Sequence, residues 1–277
     1  MRKDFVGIRA GGSGMLLLGM LGLIGGLMAQ GRAQESGFGV REKSETALIG
    51  ILYDFKQTQK RVKTSVDTRS YAQIVDNFLS KGWDEGVLNG YYRVTQPLYT
   101  TQVYIPLISA SAAPKAFGAE KTVEPRLWMV HYKGQISAPQ NGRYRFVGYA
   151  DDWIAVAINQ ETVLLNHRHD TPLPKTAWKS KEKEGMQASN GRLRYGDWVE
   201  FKEGVVMDLD VAMGERPGGF FSAFLLIQKE GETYEKSSKG DSILPLFQLV
   251  PRETQPAKEL SKGPPFVLSP RTWKSVQ

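Results

Sequence analysis

Cysteine is absent from this chain of 277 residues. Without it there is no disulfide framework, no thiolate nucleophile and no zinc–cysteine site. Several signatures of catalysis are missing as well: no Gly-x-Ser-x-Gly, no P-loop, no Gly-x-Gly-x-x-Gly following a strand and no His-Glu-x-x-His. An enzymatic reading therefore has no nucleophile or base to rest on. The chain also lacks a strong charge bias. Its formal charge is +7, but residues 1–33 hold four of the basic and one of the acidic residues, leaving 32 against 28, or +4. The remaining basic residues are dispersed, and nucleic acid is not an expected partner.

Of its residues, 41% are hydrophobic and 10% aromatic, enough to bury a core. The 29 glycines and 14 prolines fit a turn-rich all-β architecture better than a helical one. Residues 1–33 read as a targeting segment: Arg2, Lys3 and Arg9 form a basic start, Met15 to Ala29 is an unbroken run of apolar residues and glycine, and Gly31-Arg32-Ala33 offers a cleavage site. Two readings stay open, a cleaved secretory signal peptide and an uncleaved membrane anchor formed by residues 11–29. Either way the remainder is expected to be exported to the periplasm, cell surface or medium, with membrane contact only if the segment is retained.

One helix is expected, because Tyr71, Ile74, Val75, Phe78 and Leu79 repeat at helical spacing, with Ser70 as N-cap and Gly82 as stop. Its apolar stripe suits packing against a sheet, with Trp83 tucked under its end. Ala47 to Phe55 reads as a buried first strand, and Val94 to Ser109 as edge strands interrupted by Pro97 and Pro106. His167 to Gly191 is a long excursion without a sustained period. Strands are expected at 197–201, 205–213 and 220–228, and 251–277 reads as a Pro-rich tail, disordered or extended.

The most informative stretch runs from Trp128 to Asn166. It alternates apolar and polar residues, turns at Gln140-Asn141-Gly142, alternates again through Tyr144 and Phe146, stops at Asp151-Asp152 and restarts with Ile154, Val156 and Ile158. Ala155 and Ala157 leave the other face of that last strand small, which invites a second layer. This order of Tyr132, Gly134, Ile136, Pro139, Gly142, Tyr144, Phe146, Asp151 and Asp152 resembles the protective-antigen-type (PA-fourteen) domain. Fainter matches lie at Gly50 to Asp54 and at Gly214 to Phe220. The resemblance implies an antiparallel β-sandwich over residues 45–250 with one packed α-helix. In adhesin members of that family the aspartate doublet holds a calcium ion that binds sugar hydroxyls.

Asp151 and Asp152 are thus the candidate ligand-binding and metal residues, with calcium as the expected cofactor. Consecutive strand residues point to opposite faces, so a shared ion implies a strained or cis peptide between them. The bland alternative is a structural turn in which the carboxylates cap backbone N–H groups. Trp153, where the family commonly shows glycine, is a candidate stacking platform for a sugar ring or else a core residue. His167 and His169 have metal-pair spacing without a third ligand. Asp208 and Asp210 share a strand face, either as acid and base of a glycan-processing enzyme or, more simply, as solvent-facing carboxylates. The expected function is a non-catalytic binding module for carbohydrate with calcium assistance. The alternative is a structural or protein-interaction module of the cell envelope, so the partners considered are a glycan or an envelope protein.

Overall fold

The computed structural model describes residues 37–168, 178–251, 263–269 and 271–276. The expected signal or anchor segment lies outside them. Nine strands carry the architecture: β1 (Leu48–Asp54), β2 (Tyr104–Ser109), β3 (Trp128–Ser137), β4 (Gly142–Asp151), β5 (Trp153–Ile158), β6 (Glu161–His167), β7 (Val206–Glu215), β8 (Phe220–Lys229) and β9 (Lys274–Val276). One sheet runs β1-β3-β7-β5-β6; the other runs from the short strands Arg194–Tyr195 and Val199–Phe201 through β4 and β8 to β2. All these pairings are antiparallel. The result is the expected β-sandwich.

Alternation decides which side chains meet between the sheets. Across β7 and β5, Leu209 faces Ile158, Val211 faces Val156 and Met213 faces Ile154, and all six are buried in the inter-sheet core. Trp128, Val130, Tyr132 and Ile136 from β3 join them, against Phe146 and Ala150 of β4 and Phe221, Ala223 and Leu225 of β8. The intervening residues make the outer face, where Ala212 opposes Ala155 and Asp210 opposes Ala157. Because these residues are small, a helix can approach closely. Helix α1 (Thr68–Ser80) packs there with Tyr71, Ala72, Val75, Phe78 and Leu79 buried.

The N-cap of α1 is Asp67 rather than Ser70. The Asp67 carboxylate accepts from the backbone N–H of Arg69 and Ser70, while the Ser70 hydroxyl accepts from the Asp67 N–H, a reciprocal capping box. Gly82, at φ +71°, comes after the helix in the left-handed conformation that glycine adopts freely. Trp83 is buried under the helix end, its ring 5.4 Å from that of Phe78. A second short helix, α2 (Ala112–Ala116), forms within the stretch of small residues after β2. Among the described residues, no helix is long and apolar enough to cross a membrane.

Two boundaries are corrected. The sandwich begins before residue 45, since Phe38 is buried against Trp128 and Phe221. It also continues past residue 250. The described part of the tail is not a disordered appendage: Phe266–Val267 pairs in parallel with Leu244–Pro245, and β9 pairs with β3 beyond the end of β1. Trp273 fills the core against Tyr144, Phe146, Phe201 and Phe247. Proline-rich composition argued for disorder, but one buried indole contributes enough apolar area to fasten the segment.

On the outer face, Tyr71 accepts from the Trp153 indole N–H at 2.9 Å and donates to the Trp128 carbonyl at 2.9 Å. Gly214 lies against this relay: a Cβ there would stand 2.2 Å from the Tyr71 hydroxyl and 2.7 Å from Trp153 Nε1. Gly214→Ala is therefore expected to cost about 1–3 kcal/mol as an overpacked site, which thermal unfolding would read as a Tm lower by about 2–4 °C per kcal/mol. An unchanged Tm would mean the relay is slack.

Candidate functional site

The chain passes between the sheets twice at the same end. Asp151 closes β4 in one sheet and Trp153 opens β5 in the other, so Asp151-Asp152 is a crossing; Glu215 to Phe220, linking β7 to β8, is a second. The crossings are neighbours, with Trp153 opposite Gly214 and Asp151 opposite Ser222. The peptide joining Asp151 to Asp152 is cis. Two further segments converge here: Arg168, just past β6, and the turn between the short strands Gln187–Ala188 and Gly191–Arg192.

Each carboxylate has defined partners. Asp151 Oδ1 accepts from the Arg168 guanidinium at 2.9 Å and its Oδ2 from the Asn190 amide at 3.1 Å. Asp152 Oδ2 accepts from the Arg216 backbone N–H at 2.8 Å, while the Asp152 backbone bonds to Gly214 and Arg168. Glu215 Oε1 accepts from the Gly218 N–H at 2.7 Å, and its buried Oε2 has no hydrogen-bond partner among the described residues. Both aspartates and Glu215 are almost wholly buried, whereas Arg168 is half-buried and Asn190 exposed. A base of carboxylates thus lies beneath a roof of nitrogen donors.

Burial sets the electrostatics. It lifts Asp152 to about 6, assisted by the like charge of Asp151 and opposed by the Arg216 N–H and the charge of Arg168. Burial lifts Glu215 further, to about 9, with the Asp152 charge adding to it. Glu215 accordingly keeps its proton at neutral pH.

The donors placed at this corner among the described residues do not by themselves match calcium. Calcium takes six to eight oxygens at about 2.3–2.6 Å, whereas the doublet's carboxylates sit among N–H donors: both oxygens of Asp151 and one of Asp152 each accept from one, and the donor at Asp151 Oδ1 is a guanidinium that repels a cation. Among the described residues, no group of three or more histidines or acids is placed to hold a metal. Trp153 is corrected too. It is buried under α1 with its N–H committed to Tyr71, so no face is offered to a sugar. The ring of His167 hydrogen-bonds to the Arg168 carbonyl, and His169 lies outside the described residues.

Asp208 is solvent-facing, bonded to Gln135. Asp210 is not: it is buried, and its Oδ1 lies 2.8 Å from His131 Nε2. His131 Nδ1 lies 3.2 Å from Glu85 Oε1, an ion-pair contact short of hydrogen-bond alignment, and Lys133 reaches the same carboxylate at 3.3 Å. The His131 ring also touches Phe78 and Trp83. It therefore ties the 3-10 turn Glu85–Leu88 and the end of α1 to the sheet. This tie stands beside a cleft of about 690 Å³ lined by Trp83, Glu85, Lys133, Gln135, Asp208 and Asp210, among others.

No family model matches the chain, and no curated protein matches it. Solved structures do. The chain is similar to a PA14 sugar-binding domain from an RTX adhesin, at 12% identity and a TM-score of 0.39, over 71% of this chain and 97% of that one. It is similar to the PA14 domain of the antifreeze protein MpAFP, at 11% identity and a TM-score of 0.39, over 68% and 84%. It is also similar to the epithelial adhesin 6 A domain from Candida glabrata in complex with Galb1-3GlcNAc, at 10% identity and a TM-score of 0.41, over 73% and 92%.

The His131 tie has a pH signature. Burial works to lower the imidazole's affinity for its proton, but Asp210 and Glu85 outweigh it and raise the group above its ordinary 6.5. Its stabilisation is present in full below about 6.5 and is lost as pH rises through the higher folded value. Glu85 is lowered from 4.5 to about 2, chiefly by His131, so its share is present above 4.5 and lost as pH falls toward 2. The Tm deficit of His131→Gln relative to wild type is expected to be greatest between 4.5 and 6.5 and to shrink on either side. A deficit independent of pH would leave His131 a packing residue only.

Proposed function

We propose that this chain is an exported, non-catalytic binding module that receives carbohydrate at the Asp151–Asp152 corner. The observation that carries the reading is the assembly of three buried carboxyl groups beneath half-buried Arg168 and exposed Asn190 where the chain crosses between sheets. Carboxylates kept in surroundings that oppose their charge cluster where ligands are handled. An amide and a guanidinium held in place by a carboxylate base are suited to vicinal hydroxyls, which both donate and accept. Glycan specificity then resides in Arg168, Asn190 and the turn around them, while the aspartates fix their geometry.

Holding Asp152 ionised costs stability, on the order of 3 kcal/mol at neutral pH for a group lifted from 3.8 to about 6. The raised value sets the sign. The contribution of Asp152 to stability is present below 3.8 and lost as pH rises through about 6. Asp152→Asn never ionises, so it is expected to melt higher than wild type near neutral pH and no higher once pH falls below 3.8. On an array that includes Galb1-3GlcNAc, the disaccharide present with one of the similar domains, wild type is expected to bind at least one glycan and Asp151→Asn to lose it. A wild-type chain silent across the array would set carbohydrate aside.

A further inference from the structure

We infer that Arg168 does in this chain the work a bound divalent cation would do: its guanidinium neutralises the aspartate pair and makes the corner independent of metal. The inference rests on the corner being the ligand site only for its consequence, that ligand binding needs no calcium; the electrostatic claim stands by itself.

Three observations converge on it. The guanidinium meets Asp151 Oδ1 at 2.9 Å, and the Asn190 amide donates to the other oxygen at 3.1 Å, so an ion at Asp151 would lie against a fixed positive charge. Arg168 is not a passing surface residue, because its backbone N–H donates to the Asp152 carbonyl at 3.0 Å and fixes the start of the side chain over the doublet. Its side chain is 30% exposed against 4% for Asp151, which shields the pair from solvent and keeps the attraction from being screened away. On the other side Arg216, whose backbone N–H holds Asp152 Oδ2, contributes a second positive charge close enough to act on that carboxylate. Arg168 and Arg216 thus bring positive charge to the two aspartates, as a divalent ion would, although burial still outweighs them at Asp152.

A guanidinium and an ion have different consequences for a ligand. The guanidinium is covalently delivered, so the corner is complete at any calcium concentration, and it offers N–H donors where an ion would offer open coordination positions. A ligand at this corner is met by hydrogen-bond donors and supplies acceptor oxygens. Its binding is therefore indifferent to chelator.

The test is calcium titration by calorimetry together with thermal unfolding, on the full chain, for wild type, Arg168→Gln and Arg168→Lys. Wild type is expected to give no binding heat with millimolar calcium chloride and the same Tm in calcium as in EDTA. Arg168→Gln is expected to melt several degrees lower in EDTA and to regain part of that loss in calcium, and Asp151→Asn in the same background is expected to abolish the regain. Arg168→Lys, which keeps the charge, is expected to be indifferent to calcium. Saturable calcium binding by wild type would overturn the inference, as would an Arg168→Gln protein with wild-type stability or with no response to calcium. Should Arg168→Gln fail to fold, the wild-type titration still decides, since it needs no variant. A glycan array that stays silent counts against the carbohydrate reading alone and leaves the calcium result standing.

Discussion

Two sheet-to-sheet crossings lie side by side at one end of the sandwich, and the rest of the structure is arranged to make that juxtaposition stable. β4 can reach β5 only by leaving one sheet for the other at Asp151-Asp152, and β7 reaches β8 the same way beside it. Strands on both sides bury their inner faces completely, so neither crossing can slide without exposing Ile154, Met213, Phe221 or Ala150. Backbone and carboxyl groups that would otherwise be stranded at the seam are satisfied across it. Asp152 binds Gly214 and Arg216, Asp151 binds Arg168 and Asn190, and Glu215 binds Gly218.

Much of the fold can be read from alternation. Ile154, Val156 and Ile158 against Ala155 and Ala157 predict a strand with a packed inner face and an outer face thin enough for a helix, and the stripe from Tyr71 to Leu79 predicts the helix that lies there. The same alternation carries Trp153 onto the outer face with Ala155 and Ala157, where it is core, and a sugar platform would have required the opposite parity. β9 escaped because three residues cannot show a period and the prolines around them imitate a disordered composition.

The candidate site is only half legible. Asp151-Asp152 marks it, because two acids at the end of an apolar strand have no reason in core packing. Its partners carry no such mark. Arg168 and Asn190 lie 17 and 39 residues away in a stretch without repeating pattern, and only the fold brings them to the doublet. The Gly214 to Phe220 turn is visible as a glycine signal, but the burial of Glu215 within it depends on the neighbouring crossing. His131 is hidden in a different way: it sits in an apolar run, and its partners Glu85 and Asp210 come from a 3-10 turn and a third strand. Polar pairs of long sequence separation are what single-sequence reasoning cannot supply.

If protein donors hold the aspartate doublet, with Arg168 in the role of the cation, a crystal structure of the chain grown in millimolar calcium will show it. We expect a guanidinium nitrogen within hydrogen-bond distance of Asp151, the Asn190 amide on the other oxygen, and no ion between the two carboxylates. A calcium ion bridging Asp151 and Asp152, with Arg168 turned away, would contradict this assignment.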